Sequence, residues 1–485
     1  MKRLIVLYSF LWLICSSITA ASPPGCINPR GDASCDSVVD ISDINTIVDS
    51  ILYGKETYWC DINYDGLIDE ADLNSTINII LGKEHLLTAK PSGTVPVVWI
   101  NVDNNHGITN RDYYMQASLY VTYPDGSSQG TAENPFAIKI KGRGNSTWTH
   151  LAKKPYKIKF PKDVPFLGMG QDDTFTLLPN FLDWWGYLQN TVGFELSRRL
   201  GLNYTPAQEP VEVVMNGTYI GLYFVTEQIK IGDNRIDIAS QKNKETNPET
   251  ITGGWLLEIE NYPDSSSFLI TEHDGRTKQN LWFTSHSPEK MSTEQKLYIT
   301  DFLNNLDSLI YNSPLESPEW EKYIDVDELA KFLIVHEILD NKESFSGSCW
   351  MYKERGDNTK LKFGPVWDFG SCFINVKFPI TDSCYNSFVY QDLPHYCSSH
   401  WIERLYQYPY FLQVVKRHWK QFYKSNYESI FDYMDKFVLS IVDAGNADYI
   451  RWPNGSSNNL WARKEQFFVP SIKAKVNWLN KQWNN

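Results

Sequence analysis

Two twelve-residue stretches near the N-terminus space their oxygen-bearing side chains as a calcium loop does. "DASCDSVVDISD" covers residues 32–43 and "DINYDGLIDEAD" covers residues 61–72. In each, side-chain oxygens fall at loop positions 1, 3, 5, 9 and 12. They are Asp32, Ser34, Asp36, Asp40 and Asp43 in the first copy, and Asp61, Asn63, Asp65, Asp69 and Asp72 in the second. Ca²⁺ takes about six to eight oxygens at ~2.3–2.6 Å, so a short loop must turn sharply and aim alternate side chains inward. Gly66 at position 6 lowers the steric cost of that turn. The backbone carbonyls of Val38 and Leu67 fall at position 7 and complete the expected ligand set.

A second group of residues has the types that phosphoryl transfer uses. That chemistry needs cations on the phosphates, carboxylates for a divalent metal, and a residue that orients the acceptor hydroxyl. The cations stand in "RGNSTWTHLAKKPYKIKF" as Arg143, Lys154 and Lys157. Glu227 ends a β-like run and reads either as the partner of such a lysine or as a surface carboxylate. Asp368, in "KFGPVWDFG", stands between Trp367 and Phe369 and is therefore expected to be partly buried. A buried carboxylate needs a partner or a metal. Asp368 equally reads as a turn residue that accepts backbone N–H groups.

The elements that must position these residues are legible as patterns. An apolar-periodic helix follows each calcium-type loop, with Ile44, Val48, Ile51 and Leu52 on one face, and Leu73, Ile77, Ile80 and Leu81 on the other copy's face. "EHLLTAKPSGT" reads as a linker. From Val95 onward, β-branched and aromatic runs alternate with turn signals. "KKPYKIKF" alternates charged and apolar residues, as a half-exposed strand does, and Asn216-Gly217 between two β-like runs predicts a hairpin. "TEQKLYITDFLNNLDSLI", "DVDELAKFLIVHEILD" and much of residues 400–485 read as helical. The expected class is α+β: a small all-α calcium-loop module at residues 31–84, a linker at 85–94, and a large domain at 95–485 that is β-rich first and helical later.

Composition limits the function classes. A chain that is 42% hydrophobic with 17 Trp can bury a large core. A net charge of −13 argues against a nucleic-acid partner, which needs a basic face. The first 21 residues have Lys2 and Arg3, an apolar run and then small residues. They read as a secretory signal peptide, with an apolar stretch too short to span a bilayer. The protein is thus expected to be secreted, with no membrane span. Of eight cysteines, Cys15 leaves with that signal, and disulfides are permitted among the other seven.

With Asp rather than Glu at position 12, the duplicated loop-helix repeat resembles a type I-like dockerin, the calcium-dependent plug of cellulosomal enzymes. The resemblance implies bound Ca²⁺ and a cohesin domain of a scaffold protein as partner. Farther on, "GRGNSTWTHLAKKPYKIKF", "LLPNFLDWWGYLQNTVGFELSRRLGL", "GGWLLEIE" and "FLIVHEILDNKESFSGSCWMYKERGDNTKLKFGPVWDFG" resemble the CotH kinase-like family. That resemblance implies an atypical kinase fold with its site between a β-rich and a helical part. It implies ATP with Mg²⁺ or Mn²⁺ as cofactors and Ser or Thr of extracellular proteins as acceptors. It places Asp368 on the family's metal aspartate, Asn341 on the Asn of N-x-D and Glu343 on its Asp. Three positions depart from the family pattern: Glu343 itself, Gly370 where a second acid often follows, and Gln189 where Arg often precedes Asn190. The alternative implied by those departures is a catalytically inactive module that binds protein or polysaccharide.

Overall fold

The computed structural model describes residues 31–485 except 35, 37, 55–59, 61, 63–67, 83–88, 181–184, 260–261, 272–279, 375–377, 393–400, 453–458 and 485. The signal-type segment, Asp61, Asn63, Asp65 and Leu67 therefore lie outside the described residues, as does Cys35. The chain divides into two compact units, Met1–Thr88 and Ala89–Asn485.

In the first unit, helices α1 (Ile41–Tyr53) and α2 (Glu70–Ile80) each start on a loop aspartate. Asp40 and Asp69 are the N-caps, and each forms a capping box with the aspartate three residues on. Reciprocal bonds of this kind satisfy two backbone donors that a helix start would otherwise leave bare. The two copies repeat one another. Asp43 accepts the amides of Ser34 and Asp40 at 2.8 Å each. Asp72 accepts those of Ile62 and Asp69 at 2.6 and 3.0 Å. Ile47, Cys60 and Ile62 fill the small core between the copies.

The second unit is α+β. Its first sheet contains β1 (Val97–Val102), β2 (Met115–Thr122), β3 (Ser128–Gln129), β4 (Phe136–Gly142), β5 (Tyr156–Val164), β6 (Asp172–Leu178), β7 (Gln208–Met215) and β8 (Thr218–Glu227). The strand order is β1-β7-β8-β6-β5-β4-β2-β3, and β1 also pairs with β2. Seven strands therefore close on themselves as a barrel, which removes exposed edges. Its interior holds Val98, Ile100, Leu119, Ile140, Ile158, Phe175, Val213 and Val225. The alternation in "YKIKF" becomes apolar-in and lysine-out along β5. The Asn216-Gly217 hairpin forms between β7 and β8, with φ of 50° and 74° at the turn, values that favour Asn and Gly.

A second, antiparallel sheet has the order β10-β11-β9-β12-β13. Its strands are β9 (Trp255–Ile259), β10 (Ser267–Thr271), β11 (Asn280–Ser287), β12 (Cys349–Lys353) and β13 (Leu361–Phe363). The helices of this unit are α3 (Ser146–His150), α4 (Leu188–Leu200), α5 (Thr293–Asn312), α6 (Val326–Ile338), α7 (Trp401–Leu405), α8 (Pro409–Ser425), α9 (Ser429–Arg451), α10 (Leu460–Arg463) and α11 (Val469–Trp483). One large aromatic core joins the second sheet to these helices. Among the described residues no helix is long and apolar enough to cross a membrane.

Barrel and helices are locked by a buried ion pair. Lys153 Nζ lies 2.8 and 2.9 Å from the two oxygens of Asp448 on α9, and both side chains are wholly buried. Asp448 also accepts from Tyr187 Oη at 2.7 Å and from the Leu222 amide of β8 at 2.8 Å. Gly221 makes room for this. Its φ is +112°, and a Cβ there would lie 2.0 Å from Asp448 Oδ1.

Candidate active-site cleft

The edge of the barrel and the second sheet enclose a polar cleft of about 950 Å³. Arg143, Lys157, Glu343 and Asp368, all singled out from sequence, line it together. So do Lys141, Gln189, Asn190, Glu258, His286 and Ser371.

One wall is cationic by strand register. Lys141 on β4 lies directly opposite Lys157 on β5. Like charges opposite one another on a sheet are destabilising. Burial, then the repulsion of Lys141 and Arg143, lowers the Lys157 pKa to about 8. Among the described residues Lys157 has no ion-pair partner. Arg143 follows β4, half-buried, with its guanidinium carbon 5.9 Å from the Trp367 ring. Burial lowers its pKa, while Asp368 and Glu258 oppose that shift. Two clustered cations with depressed pKa values are what an anionic ligand, such as a polyphosphate, would relieve.

The facing wall is acidic. Glu343 sits in the turn after α6, half-buried, and accepts from Ser371 Oγ at 2.8 Å. Burial and the nearby charge of Asp368 raise its pKa to about 7, with Glu258 adding to the shift. Asp368 is exposed to the cleft, which corrects the expectation of a partly buried carboxylate. Burial falls instead on its neighbours: Trp367 and Phe369 are the buried pair, and the backbone turn between them pushes the carboxylate outward. That turn holds Asp368 at φ 55°, a left-handed conformation. It is fixed from all sides. The Asp368 carbonyl accepts from Asn341 Nδ2 at 3.0 Å, and the Phe369 amide donates to Asn190 Oδ1 at 2.9 Å. Phe369 stacks on His336 with centroids 5.1 Å apart. It also sits so close to α4 that a Cβ on Gly193 would come within 2.2 Å of its ring. The turn reading of Asp368 also holds, since its Oδ1 accepts the Gly370 amide at 3.2 Å.

Three sequence candidates do not reach the cleft. Lys154 turns back on its own loop, donating to the Trp148 carbonyl at 2.6 Å. Glu227 pairs with Arg235 at 2.7 Å rather than with a lysine, and also accepts from Tyr204 Oη and the Ala207 amide. It is a buried anchor at the C-terminal end of β8. Asn341 lies behind the cleft, buried, where it holds the Asp368 backbone and touches the neutral ring of His336 at 3.2 Å. Burial pushes that histidine's pKa down to about 3. Asp340, the aspartate nearest the expected acid, is also behind the cleft, held by Lys342 and Lys475 at 3.0 and 2.9 Å.

Sequence reasoning missed Glu258 and His286. Glu258 is central in the second sheet, opposite Thr284 on β11 and Trp350 on β12. Its carboxylate lies 2.7 Å from His286 Nε2. The only signal in the sequence is a Glu within the apolar run "GGWLLEIE", a polar residue where a buried strand is otherwise unbroken.

The donors on the acidic wall are oxygens, which suits Mg²⁺ or Mn²⁺. Mg²⁺ is usually held through one or two carboxylates plus substrate phosphates. Glu343 with Asp368 supplies a pair of that type beside the cationic wall. The first calcium-type loop also offers an all-oxygen donor set, with Ser42 Oγ 3.4 Å from both Ser34 Oγ and Asp36 Oδ2. Among the described residues no group of three His, Cys, Asp or Glu side chains stands close enough, as placed, to hold a metal.

A closed barrel, a helical second half and a bipolar cleft beside the barrel make the second unit a two-part α+β domain, an architecture consistent with a kinase-like domain. The family model described as "CotH kinase protein" matches residues 140–480, and the chain belongs to that family. No curated protein matches the chain.

Proposed function

We propose that the second unit transfers the γ-phosphoryl group of ATP to a serine or threonine hydroxyl of an extracellular protein. The observation that carries this reading is the bipolar cleft: Lys157 and Arg143 face Glu343 and Asp368 across one cavity. Lys157 and Arg143 hold the phosphates and balance their charge. Asp368 and Glu343 hold the divalent cation, which when bound neutralises the phosphate charge that builds during transfer. Ser371 fixes one oxygen of Glu343, and Asn341 and Asn190 fix the turn that carries Asp368.

The lysine gives a pH test. Lys157 is cationic below about pH 8 and loses its charge above it. Nucleotide affinity should therefore fall by about tenfold as pH rises from 7 to 9, the worth of one charge-assisted hydrogen bond. In Lys157→Gln the affinity should be weak throughout and flat over that range. Titration of Mg·ATP by calorimetry reads this directly. A wild-type affinity that is unchanged from pH 7 to 9 would remove Lys157 from the phosphate site.

Glu343 gives a stability test of opposite sign. Its folded pKa is raised to about 7, so at pH 8 the folded chain carries a charge that burial and Asp368 disfavour. At pH 4 the group is neutral in the folded chain and mostly neutral in the unfolded one. Glu343→Gln should therefore raise the melting temperature at pH 8 and change it little at pH 4. Mn²⁺ should raise the wild-type melting temperature at pH 8 and lose most of that effect in the variant.

For the first unit we propose a dockerin: a calcium-folded plug that mounts the exported protein, through a cohesin domain, on an extracellular polysaccharide-degrading complex. The repeated Asp43 and Asp72 hydrogen-bond pattern supports an internal duplication of one loop-helix unit. The full chain should bind Ca²⁺ at two sites by calorimetry, and Asp61→Ala with Asp65→Ala should leave one. Gly370 favours a second reading for the large unit, a module that binds nucleotide or partner without transfer. It lines the cleft where a second acid is expected.

A further inference from the structure

We propose that His286 is the group that takes the proton from the acceptor hydroxyl, and that Glu258 and Trp350 are the residues that position it. This rests on the phosphoryl-transfer reading above and deepens it. Three independent features converge on this imidazole. First, the strand places it in the cleft by a device. Along β11, Thr284 pairs with Glu258, Ser285 with Leu257 and Ser287 with Leu256. His286 is the extra residue of that register shift, a β-bulge. Bulges leave one residue unpaired and re-aim its side chain, and they recur beside active sites.

Second, the ring is oriented. Its Nε2 lies 2.7 Å from Glu258 Oε2, and it stacks on Trp350 at 4.4 Å between centroids and 29° between planes. Glu258 itself is almost wholly buried. Against a carboxylate Nε2 must be the donor, and in the neutral ring Nδ1 then carries the lone pair. Among the described residues Nδ1 has no hydrogen-bond partner. A nitrogen base held through its other nitrogen by a buried carboxylate is the arrangement that general-base chemistry uses.

Third, the dyad stands where the two walls meet. The charge of Glu258 acts on Arg143 on the cationic side and on Glu343 on the acidic side. His286 and Glu343 line the same cavity. The division of work then separates cleanly. Asp368 and Glu343 serve the metal and phosphates, and His286 serves the acceptor. In the step, the acceptor O–H gives its proton to Nδ1 as its oxygen bonds to the γ-phosphorus. The bond from that phosphorus to the β–γ bridging oxygen breaks, and ADP leaves with the electron pair. The imidazolium returns its proton to solvent.

The test uses the full chain, Mg·ATP and dephosphorylated casein as the acceptor probe. His286→Ala should lower kcat for transfer by about 10²- to 10⁴-fold. The thermal shift on Mg·ATP should stay at its wild-type size, because the phosphate-holding groups are untouched. Added imidazole should restore transfer by about tenfold or more, and substituted imidazoles should do so in the order of their basicity. A positional role alone would not give that rescue. His286→Asn, which keeps a polar side chain in the bulge, is the second variant if His286→Ala does not fold. Transfer that survives either substitution, or that is lost without imidazole rescue, overturns the assignment. Wild-type protein that transfers no phosphate overturns the underlying reading and this one with it, before any variant is made.

Discussion

Asp368→Asn should abolish phosphoryl transfer while leaving the fold intact. The substitution is chosen for what it keeps. Asn retains an oxygen at the Oδ1 position, so the bond from the Gly370 amide survives. Asn also tolerates the left-handed backbone at φ 55°. The surrounding clamps act on the backbone of residues 368 and 369, not on the carboxylate. Only the charge is lost, and Gly370 supplies no substitute in that turn. The expected result is a fall in kcat of about 10²- to 10³-fold or more, the scale of removing one preorganised electrostatic group. The melting temperature should stay within a few degrees because the side chain is exposed. Equal loss of activity and stability would make Asp368 a structural turn residue.

The largest effect on stability should come from Lys153→Met. The two charges are fully buried, and Asp448 accepts from Lys153, Tyr187 and the Leu222 amide, which lie on separate segments. Methionine fills the space but leaves Asp448 charged and undercompensated in the core. Breaking a buried pair from one side costs about 3–5 kcal/mol. Urea unfolding followed by tryptophan fluorescence should show a midpoint lowered accordingly. The double variant Lys153→Met with Asp448→Asn should recover part of the loss, since it no longer buries a lone charge. A single variant within about 0.5 kcal/mol of wild type would mean the pair does not tie the barrel to α9.

How far the sequence reached is a matter of locality. The β5 alternation, the Asn216-Gly217 turn and the helices α5 and α6 depend on neighbours within a few residues, and all form where the pattern places them. The closure of the barrel depends on β1 meeting both β2 and β7, a pairing that local periodicity does not encode. The lysines show the same limit. Lys153, Lys154 and Lys157 are near neighbours with similar surroundings in the sequence, yet one is a buried anchor, one folds onto its own loop and one faces the cleft. Only the exit of the chain from α3 into β5 separates them. Glu227 was a fair candidate from its position after a strand, but Arg235 from the following loop claims it. Glu258 and His286 meet because β9 and β11 pair, across residues far apart in sequence. Asp368 was visible as an acid between aromatics. Which of the three residues would be buried was decided by the positive φ at 368, which no pattern announces.

The most direct measurement is transfer of label from γ-labelled ATP. The full chain is incubated with Mg²⁺ or Mn²⁺ and dephosphorylated casein, and phosphoamino acids are resolved after hydrolysis. The account predicts label on serine or threonine that requires the divalent ion and disappears with Asp368→Asn. No label on casein or on the chain itself, together with no thermal shift on adding nucleotide, would contradict it.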